Sequence, residues 1–402
     1  MTMWFLGLDG RAPVPLNSTF KRMRVLTLTP FYPTASDDAA GCFVAEPLRQ
    51  LEDFGVSSCV VAVHPLHRSS AEASASAPTA TWVRYPSVPS GIGLATAGAF
   101  LHGRLISQVR KLHQSKPIDL IHAHAALPCG HAAALLSREL RIPCVITVHG
   151  LDAFFDNQVR GLAGRWCKRV AQFVYRSASR VICISDKVST KVADGTTFRV
   201  NTKVIYNSVD EQTFSPASRD SFSNTILSVG NLIPIKGHEL LLRALASVLP
   251  RYPQISCEII GDGPEHHRLA KLASECNIAD KVRFLGRQSR KQVAEAMRHC
   301  LLFALPSRYE GLGCVYMEAM STEKPVIGCR GQGIDEIIQH GSNGWLVEPN
   351  NLQELIAGLD ALLKNLQLRR QIGEAARRTI LQGFTSTHQA TQLAALYREC
   401  AA

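Results

Sequence analysis

Three patterns that would each assign the chain to a special class are missing from the sequence. Its twelve cysteines form no Cys-x-x-Cys pair, the spacing used by structural zinc sites and thiol redox sites. No apolar run reaches the roughly 20 residues that a membrane-spanning helix requires, and no recognised nucleic-acid-binding motif occurs. These absences argue against a disulfide scaffold, an integral membrane protein and a nucleic-acid-binding protein. The 46% hydrophobic and 19% charged residues are those of an ordinary globular chain.

The cysteines that are present indicate a reducing compartment. Cys144, Cys183 and Cys257 lie inside apolar, strand-like runs, where a free cysteine behaves as a small hydrophobic residue. Thiols without a pairing pattern are typical of proteins kept reduced. We therefore expect a cytoplasmic protein.

Length and charge distribution suggest two unlike halves. The chain has 402 residues, more than the roughly 250–300 at which a single core usually stops growing. Residues 1–200 hold 22 Lys/Arg against 13 Asp/Glu, whereas residues 201–402 hold 22 against 20. The basic first half should attract anions such as acidic lipid headgroups or phosphorylated substrates.

Short apolar strands alternate with amphipathic helical stretches, which predicts parallel sheets covered by helices on both faces. The expected strands lie at residues 24–29, 58–63, 120–123, 144–148, 181–184 and 203–205, and again at 226–229, 256–260, 282–285, 302–305, 326–328 and 344–347. Residues 69–81, rich in Ser and Ala, predict a loop.

The fold class is therefore α/β, with two tandem Rossmann-like, doubly wound domains and a cleft at the carboxyl ends of both sheets. We predict a non-structural extension over residues 1–22, an N-terminal domain over 23–206, a linker over 207–223 and a C-terminal domain over 224–384. The last helix, over residues 385–402, can pack on either domain or cross back to the first.

Residues 306–320, Pro-Ser-Arg-Tyr-Glu-Gly-Leu-Gly-Cys-Val-Tyr-Met-Glu-Ala-Met, place a glycine-containing loop between a predicted strand and a predicted helix. Gly311 and Gly313 let backbone N–H groups approach a ligand, and the helix N-terminus adds partial positive charge. This arrangement suits a diphosphate or sugar hydroxyls. Glu310 and Glu318 can then grip two parts of one long ligand. The alternative is a helix-capping Glu318 and a solvated Glu310.

With its Glu-x7-Glu spacing, its Pro-Ser loop and its Ala-Met pair, this segment resembles the fourth family of retaining glycosyltransferases, whose architecture is called GT-B. The resemblance implies that Glu310 contacts the hydroxyls of the donor sugar and Glu318 the ribose of its nucleotide. It also assigns Gly311, Leu312 and Gly313 to donor binding. The similarity covers residues 23–400 and is densest over 227–349.

Residues 228–238 add a second group of donor contacts by the same resemblance. Family members usually carry an arginine and a lysine here, five residues apart, which both bind the diphosphate. This chain keeps Lys236, but Asn231 replaces the arginine, so an amide donor stands where a charge is usual. Gly230 precedes it. Residues 282–286 resemble the strand whose following backbone reads the base, which assigns Leu285 and Gly286 to the donor.

In the first half, the resemblance selects four residues. His149, in Thr-Val-His-Gly-Leu-Asp, matches the His-Gly motif at the reacting face of the sugar and is the third implied catalytic residue, with Lys236 and Glu310. Gly41 matches the loop whose amides touch the diphosphate and the acceptor. Asp152 and His124 are assigned to the acceptor.

No metal or cofactor is expected. The Asp-x-Asp motif that grips a metal-bound diphosphate in the other major transferase architecture is absent. His122 and His124 share one face of a strand, but no third ligand cluster with metal spacing accompanies them. The resemblance then implies a metal-independent reaction on a UDP- or GDP-linked sugar, which is a substrate and not a cofactor.

Residues 157–180 form a basic stretch without an acid, with Trp166, Phe173 and Tyr175 among its cations. Such a helix can lie on an anionic bilayer, at the inner face of the cytoplasmic membrane. The alternative is a solvated helix whose aromatic side chains face the core.

The sequence thus predicts a hexosyltransferase-type enzyme that moves a sugar from a nucleotide-sugar to a glycan or lipid-linked acceptor. The setting of Gly41 resembles that of sugar transferases of bacterial surface-polysaccharide assembly, such as the teichuronic-acid type. Two rivals stay open: an epimerase or hydrolase of nucleotide-sugars on the same fold, and a catalytically silent subunit that binds the donor, for which Asn231 argues.

Overall fold

A computed structural model describes residues 22–66, 77–87, 93–150, 152, 159, 161–217 and 223–402. Residues 1–21 of the predicted extension, most of the predicted loop, residues 218–222 of the predicted linker and the start of the basic stretch lie outside the described residues. The statements below concern the described part of the chain.

The N-terminal domain is built on a parallel sheet with helices on both faces. Its strands are β1 (Met23–Thr29), β2 (Val56–Pro65), β3 (Ala80–Tyr85), β4 (Leu120–His124), β5 (Cys144–Val148), β6 (Arg180–Cys183) and β7 (Thr202–Val204). Its helices are α1 (Cys42–Asp53), α2 (Leu94–Ser115), α3 (His131–Leu140), α4 (Gly161–Ser177) and α5 (Asp186–Asp194). The strand order is β3-β2-β1-β4-β5-β6-β7.

The C-terminal domain repeats this architecture. Its strands are β8 (Thr225–Val229), β9 (Ser256–Ile260), β10 (Val282–Gly286), β11 (Leu302–Ala304), β12 (Val326–Cys329) and β13 (Trp345–Val347), in the order β10-β9-β8-β11-β12-β13. The helices are α6 (His238–Val248), α7 (His266–Glu275), α8 (Arg290–His299), α9 (Cys314–Ser321), α10 (Leu352–Lys364) and α11 (Leu366–Gly383). A further helix, α12 (Ser386–Ala401), follows the domain.

These two parallel sheets confirm the predicted α/β class with tandem doubly wound domains. Strands β1, β4 and β5 are almost fully buried because helices cover both faces of the sheet, which explains why most of their residues are apolar or β-branched. The strand order reverses between β1 and β4 in the N-terminal sheet and between β8 and β11 in the C-terminal sheet. A doubly wound sheet opens a crevice at such a point, at its carboxyl edge.

The predicted loop over residues 69–81 extends too far, because strand β3 begins at Ala80. Strand β3 lies at the edge of the sheet and is only partly buried. Its side chains Trp82 and Val83 are half-buried, so the strand lacks the strong apolar signal of its neighbours.

The last helix packs on the N-terminal domain. Leu393 and Tyr397 of α12 share an apolar cluster with Val44 and Leu48 of α1. The Tyr397 hydroxyl bonds His122 Nδ1 at 2.7 Å, and His122 Nε2 bonds the Thr147 hydroxyl at 2.7 Å. Both ring nitrogens of His122 are therefore used within the core of the N-terminal domain.

The segment predicted as a linker is itself packed. Val209 and Phe214 are fully buried, and the backbone of Val209 pairs with the residues that precede α12. The chain therefore passes between the domains twice, side by side.

Among the described residues, no helix has the length and apolar character needed to cross a bilayer.

The Tyr397–His122 bond provides a test of how α12 holds the first domain. Tyr397→Phe should lower the free energy of unfolding by about 1–3 kcal/mol, because it leaves a buried ring nitrogen without a partner. Chemical denaturation followed by circular dichroism measures this. The control is Tyr252→Phe, whose hydroxyl bonds Asp360 in a part-buried setting; an equal loss in both variants would contradict the assigned role.

Candidate active site

A cavity of about 570 Å³ lies between the two domains. On the N-terminal side it is lined by the loops that follow β1, β5 and β6, and on the C-terminal side by those that follow β8 and β11. All of these loops leave the carboxyl ends of parallel strands, where doubly wound proteins bind ligands. The cavity is the candidate active site.

Ten of the fourteen predicted site residues line this cavity. They are His149, Asp152, Gly230, Asn231, Lys236, Glu310, Gly311, Leu312, Gly313 and Glu318. The structure therefore brings together residues that are up to 169 positions apart in the chain, as Glu318 and His149 are.

The loop between β11 and α9 presents a helix N-terminus to the cavity. Gly313 precedes α9 with φ 89°, in the left-handed region where a side chain would be strained. The first residues of the helix, Cys314 and Val315, line the cavity directly. Backbone N–H groups of a first helical turn are without intrahelical partners, so this end can bind an anion.

Lys236 and Glu310 form an ion pair inside the cavity. The distance from Lys236 Nζ to Glu310 Oε1 is 2.7 Å, and both side chains are largely buried. Lys236 ends a short turn that is followed by Gly237 at φ 75°. A Cβ at Gly237 would lie 2.1 Å from the carbonyl oxygen of Pro306, so glycine is required for the Lys236 loop to lie against the Glu310 loop.

Glu318 is held by a residue that sequence reasoning missed. Arg290, at the start of α8, bonds Glu318 Oε1 through Nη1 at 2.7 Å and Glu46 Oε1 through Nη2 at 2.6 Å. Burial raises the pKa of Glu46 to about 7. The sequence contains one sign of this role. Arg290 is the first residue of its helix, where a cation opposes the helix dipole and is favourable only with acidic partners.

His149 lies at the N-terminal wall of the cavity as a neutral imidazole. Burial lowers its pKa to about 3. Its Nε2 bonds His124 Nδ1 at 3.1 Å, and its Nδ1 is buried without a hydrogen-bond partner among the described residues. The rings of Phe31 and Phe43 contact it, at 5.5 and 4.8 Å between ring centroids. The ring can therefore offer one hydrogen bond to a ligand, but no charge.

Asp152 shares this wall. Its Oδ1 accepts a hydrogen bond from the backbone N–H of His149 at 2.8 Å, while its Oδ2 is buried without a partner in the described part of the chain. Burial raises the pKa of Asp152 to about 7. An unpartnered carboxyl oxygen beside an unpartnered ring nitrogen indicates room for a polar ligand group.

Four predicted site residues do not line the cavity. Gly41 lies behind it: a Cβ there would be 2.4 Å from the backbone of Phe31 and Tyr32, so the close packing of the loop requires glycine. Leu285 packs against the core, and the Gly286 carbonyl accepts the Gly261 N–H. His124, the last residue of β4, is buried, and its Nδ1 bonds the ring of His149 instead of reaching the cavity.

The two domains touch around the cavity. A Cβ on Gly311 would lie 2.5 Å from the His149 carbonyl oxygen, and the Ser185 hydroxyl donates to the Gly311 carbonyl at 2.6 Å. Glu336 accepts the backbone N–H groups of Asp186 and Lys187 at 2.8 and 2.7 Å. This carboxylate from the C-terminal domain thus caps α5 of the N-terminal domain, and the cleft is closed.

The two doubly wound domains and the charged cleft between them define the GT-B class of glycosyltransferases. The family described as "Glycosyltransferase Family 4" matches residues 42–213, and that described as "Glycosyl transferases group 1" matches residues 210–379. An uncharacterized glycosyltransferase of Methanocaldococcus jannaschii is 32% identical over 266 residues, which are 66% of this chain and 71% of that protein. The chain therefore belongs to the family 4 glycosyltransferases.

Further relatives and solved structures agree with this assignment. The N-acetyl-alpha-D-glucosaminyl L-malate synthase of Bacillus anthracis is 27% identical over 305 residues, 73% of this chain and 78% of that protein. The Anabaena protein HepE in complex with UDP-glucose superposes with a TM-score of 0.73 at 21% identity, covering 94% of this chain and 100% of that one. Sucrose-phosphate synthase from Thermosynechococcus elongatus gives 0.72 at 20% identity, covering 94% and 99%. These structural similarities confirm the fold.

The contact between Gly311 and His149 can be tested with a single methyl group. Gly311→Ala should slow sugar transfer by about 100-fold, because a small displacement of reacting groups can cost that much. Thermal unfolding should stay close to that of the wild type, since the clash lies between domains. Gly103→Ala on α2, where a Cβ meets nothing within 4 Å, is the control. An unimpaired transfer rate in Gly311→Ala would show that the closed cleft is not the working state.

Proposed function

We propose that this glycosyltransferase is a retaining, metal-independent enzyme that moves a sugar from a UDP- or GDP-linked donor to a glycan or lipid-linked acceptor. The observation that carries the proposal is the grouping of Lys236, Glu310, Glu318 and the N-terminus of α9 around one cavity. A nucleoside diphosphate sugar presents an anionic centre with a polyhydroxylated ring on either side, and the cavity offers matching groups.

The donor would lie with its diphosphate at the N-terminus of α9. Lys236 and the first backbone amides of that helix would offset the charge of the departing diphosphate, which is the work of a metal ion in other transferases. Glu310 would accept hydrogen bonds from the sugar hydroxyls, and Glu318 from the ribose. The solved Anabaena relative with UDP-glucose supports a donor of this chemical class.

Transfer would proceed by attack of the acceptor hydroxyl on the same face of the anomeric carbon as the leaving diphosphate. The bond from the anomeric carbon to the diphosphate oxygen breaks, the bond to the acceptor oxygen forms, and the diphosphate takes the acceptor's proton. Glu310 and Glu318 are the acids of the C-terminal domain that line the cavity, and each is already paired with a cation. This pairing argues against either carboxylate as a covalent nucleophile. Neutral His149 would donate or accept one hydrogen bond at the sugar.

The acceptor would approach from the N-terminal wall, where Asp152 presents an unpartnered oxygen. A carboxyl group there can orient an acceptor hydroxyl toward the sugar. A glycan or lipid-linked sugar of a cell-surface polysaccharide has hydroxyls of this kind, and the resemblance noted around Gly41 supports this substrate class.

A membrane surface is the partner that suits α4. Leu162 and Trp166 are 82% and 50% exposed, one turn apart, and Arg165 and Arg169 are exposed on the same face. The other aromatic residues of the helix, Phe173 and Tyr175, turn toward the core. An outward stripe of apolar and cationic side chains matches the headgroup region of an anionic bilayer.

The neighbouring helix α2 also carries an exposed aromatic side chain. Helices α2 and α4 pack together through Ala95 and Cys167, and Phe100 of α2 is 54% exposed. Neither helix contains an aspartate or glutamate. We therefore place this face of the N-terminal domain against the inner, cytoplasmic leaflet, where a lipid-linked acceptor would be within reach of Asp152.

The donor class and the role of Lys236 can be tested together. A thermal-shift screen of UDP- and GDP-sugars should identify a donor that stabilises the protein, and Lys236→Ala should then lower transfer by at least about 100-fold. The control is Lys271→Ala, an exposed lysine in a surface ion pair. Wild-type turnover in Lys236→Ala would refute its role, release of free sugar without acceptor would indicate a hydrolase, and binding without any product a silent subunit.

Membrane docking can be measured by sedimentation with vesicles. Leu162→Ala/Trp166→Ala should bind phosphatidylglycerol vesicles at least about tenfold more weakly than the wild type, because two apolar side chains no longer enter the bilayer. Leu366→Ala/Leu381→Ala removes two exposed leucines, at 51% and 42% exposure, from α11 of the other domain and should leave vesicle binding unchanged. Equal binding of wild type and the Leu162/Trp166 variant would exclude this surface.

A further inference from the structure

Arg290 stands at the centre of a buried group of charges that joins the two domains. Glu318 belongs to α9 of the C-terminal domain and Glu46 to α1 of the N-terminal domain, and one guanidinium bonds both. The side chains of Arg290, Glu46 and Glu318 are only 12%, 9% and 10% exposed. Buried charges must be paired, so removing one member leaves another uncompensated.

Arg290 is also held from other directions. Its guanidinium lies 4.6 Å from the ring centroid of Phe214, and its backbone N–H donates to Asp38 Oδ1 at 2.9 Å. Its Nε is buried and has no partner among the described residues. The guanidinium is therefore fixed in place beside the cavity, and its Nε–H donor still has no partner in the described part of the chain.

The charges that line the cavity give Arg290 a specific role. Of the lining residues, Lys236 and Arg290 carry the positive charge, while Asn231 is neutral. Each of the two cations is paired with one acid of the Glu-x7-Glu motif: Lys236 with Glu310, and Arg290 with Glu318. The two acids expected to contact the donor are thus each oriented by one cation.

The two pairs differ in one respect. The Lys236–Glu310 pair lies within the C-terminal domain, whereas Arg290 has a second bond to the other domain through Glu46. Opening of the cleft would carry α1 and Glu46 away with the N-terminal domain, whereas Glu318 would remain beside Arg290, because both belong to the C-terminal domain. Closure therefore adds a second carboxylate to the guanidinium that orients Glu318.

We propose that Arg290 is a positioning residue that orients Glu318 toward the donor nucleotide and, through Glu46, couples the nucleotide site to closure of the cleft. This inference rests on the proposed donor site. It assigns two separable effects: the Arg290–Glu318 bond serves nucleotide binding, and the Arg290–Glu46 bond serves closure.

The experiment measures these effects without a known acceptor. Binding of UDP and of GDP is measured by calorimetry, and the radius of gyration by small-angle X-ray scattering with saturating nucleotide. The variants are Arg290→Gln, Arg290→Lys and Glu46→Ala. The control is Arg287→Gln, because Arg287 pairs with Asp37 across the same interface but is largely exposed.

Arg290→Gln should weaken binding of the preferred nucleotide by about tenfold or more, the effect of losing hydrogen bonds to a charged group. Arg290→Lys should restore part of it, because an ammonium can reach Glu318 but cannot bond both acids as a planar guanidinium does. Glu46→Ala should weaken nucleotide binding less than Arg290→Gln does, because the Arg290–Glu318 bond is kept, but it should show a larger radius of gyration. Arg287→Gln should match the wild type in both measurements.

The outcomes separate this inference from the proposed function. If the wild type binds neither nucleotide, the donor site itself is wrong. If the wild type binds and folded Arg290→Gln, checked by circular dichroism, binds equally well, the positioning role is refuted while the donor site stands. If Glu46→Ala leaves the radius of gyration unchanged, or Arg287→Gln enlarges it as much, the coupling to closure is refuted.

Discussion

Pairing of buried charge is the constraint on which the site depends. Two carboxylates of the C-terminal domain, Glu310 and Glu318, line the cavity, and a carboxylate taken out of water is costly unless a cation and hydrogen bonds compensate it. Lys236 and Arg290 provide that compensation for Glu310 and Glu318. The same pairs hold the acids in one geometry before a ligand arrives, so their orientation does not have to be achieved at the moment of binding.

The fold makes this pairing possible because each partner stands at the carboxyl end of a different strand. Lys236 follows β8, Arg290 follows β10 and Glu310 follows β11, all at one edge of a single parallel sheet. Residues from the other sheet reach the same space only because the domains face each other. The site is therefore shared: the C-terminal domain provides the two cation–carboxylate pairs, and the N-terminal domain provides His149 and Asp152.

A structural feature could be predicted from the sequence where the residues that determine it are close together in the chain. Strand β5 is found to the residue, because its buried run of apolar and β-branched residues lies between Pro143 and the His149–Gly150 pair. The loop with Glu310 and Gly313 is recognisable because its residues lie close together in the sequence. Edge strand β3 is missed because it is half-exposed. Arg290 and Glu46 are missed for another reason: they meet across two domains, and only the tertiary fold shows that contact.

The position of α12 has a consequence for how the protein is made. Tyr397 provides the hydrogen bond to His122, 275 residues earlier in the chain, and Leu393 and Tyr397 fill the apolar cluster on α1. On the ribosome, the first domain emerges long before these residues are synthesised. The part of the N-terminal sheet and of α1 that α12 covers therefore stays exposed until the second domain has been translated, and the first domain completes its packing only then.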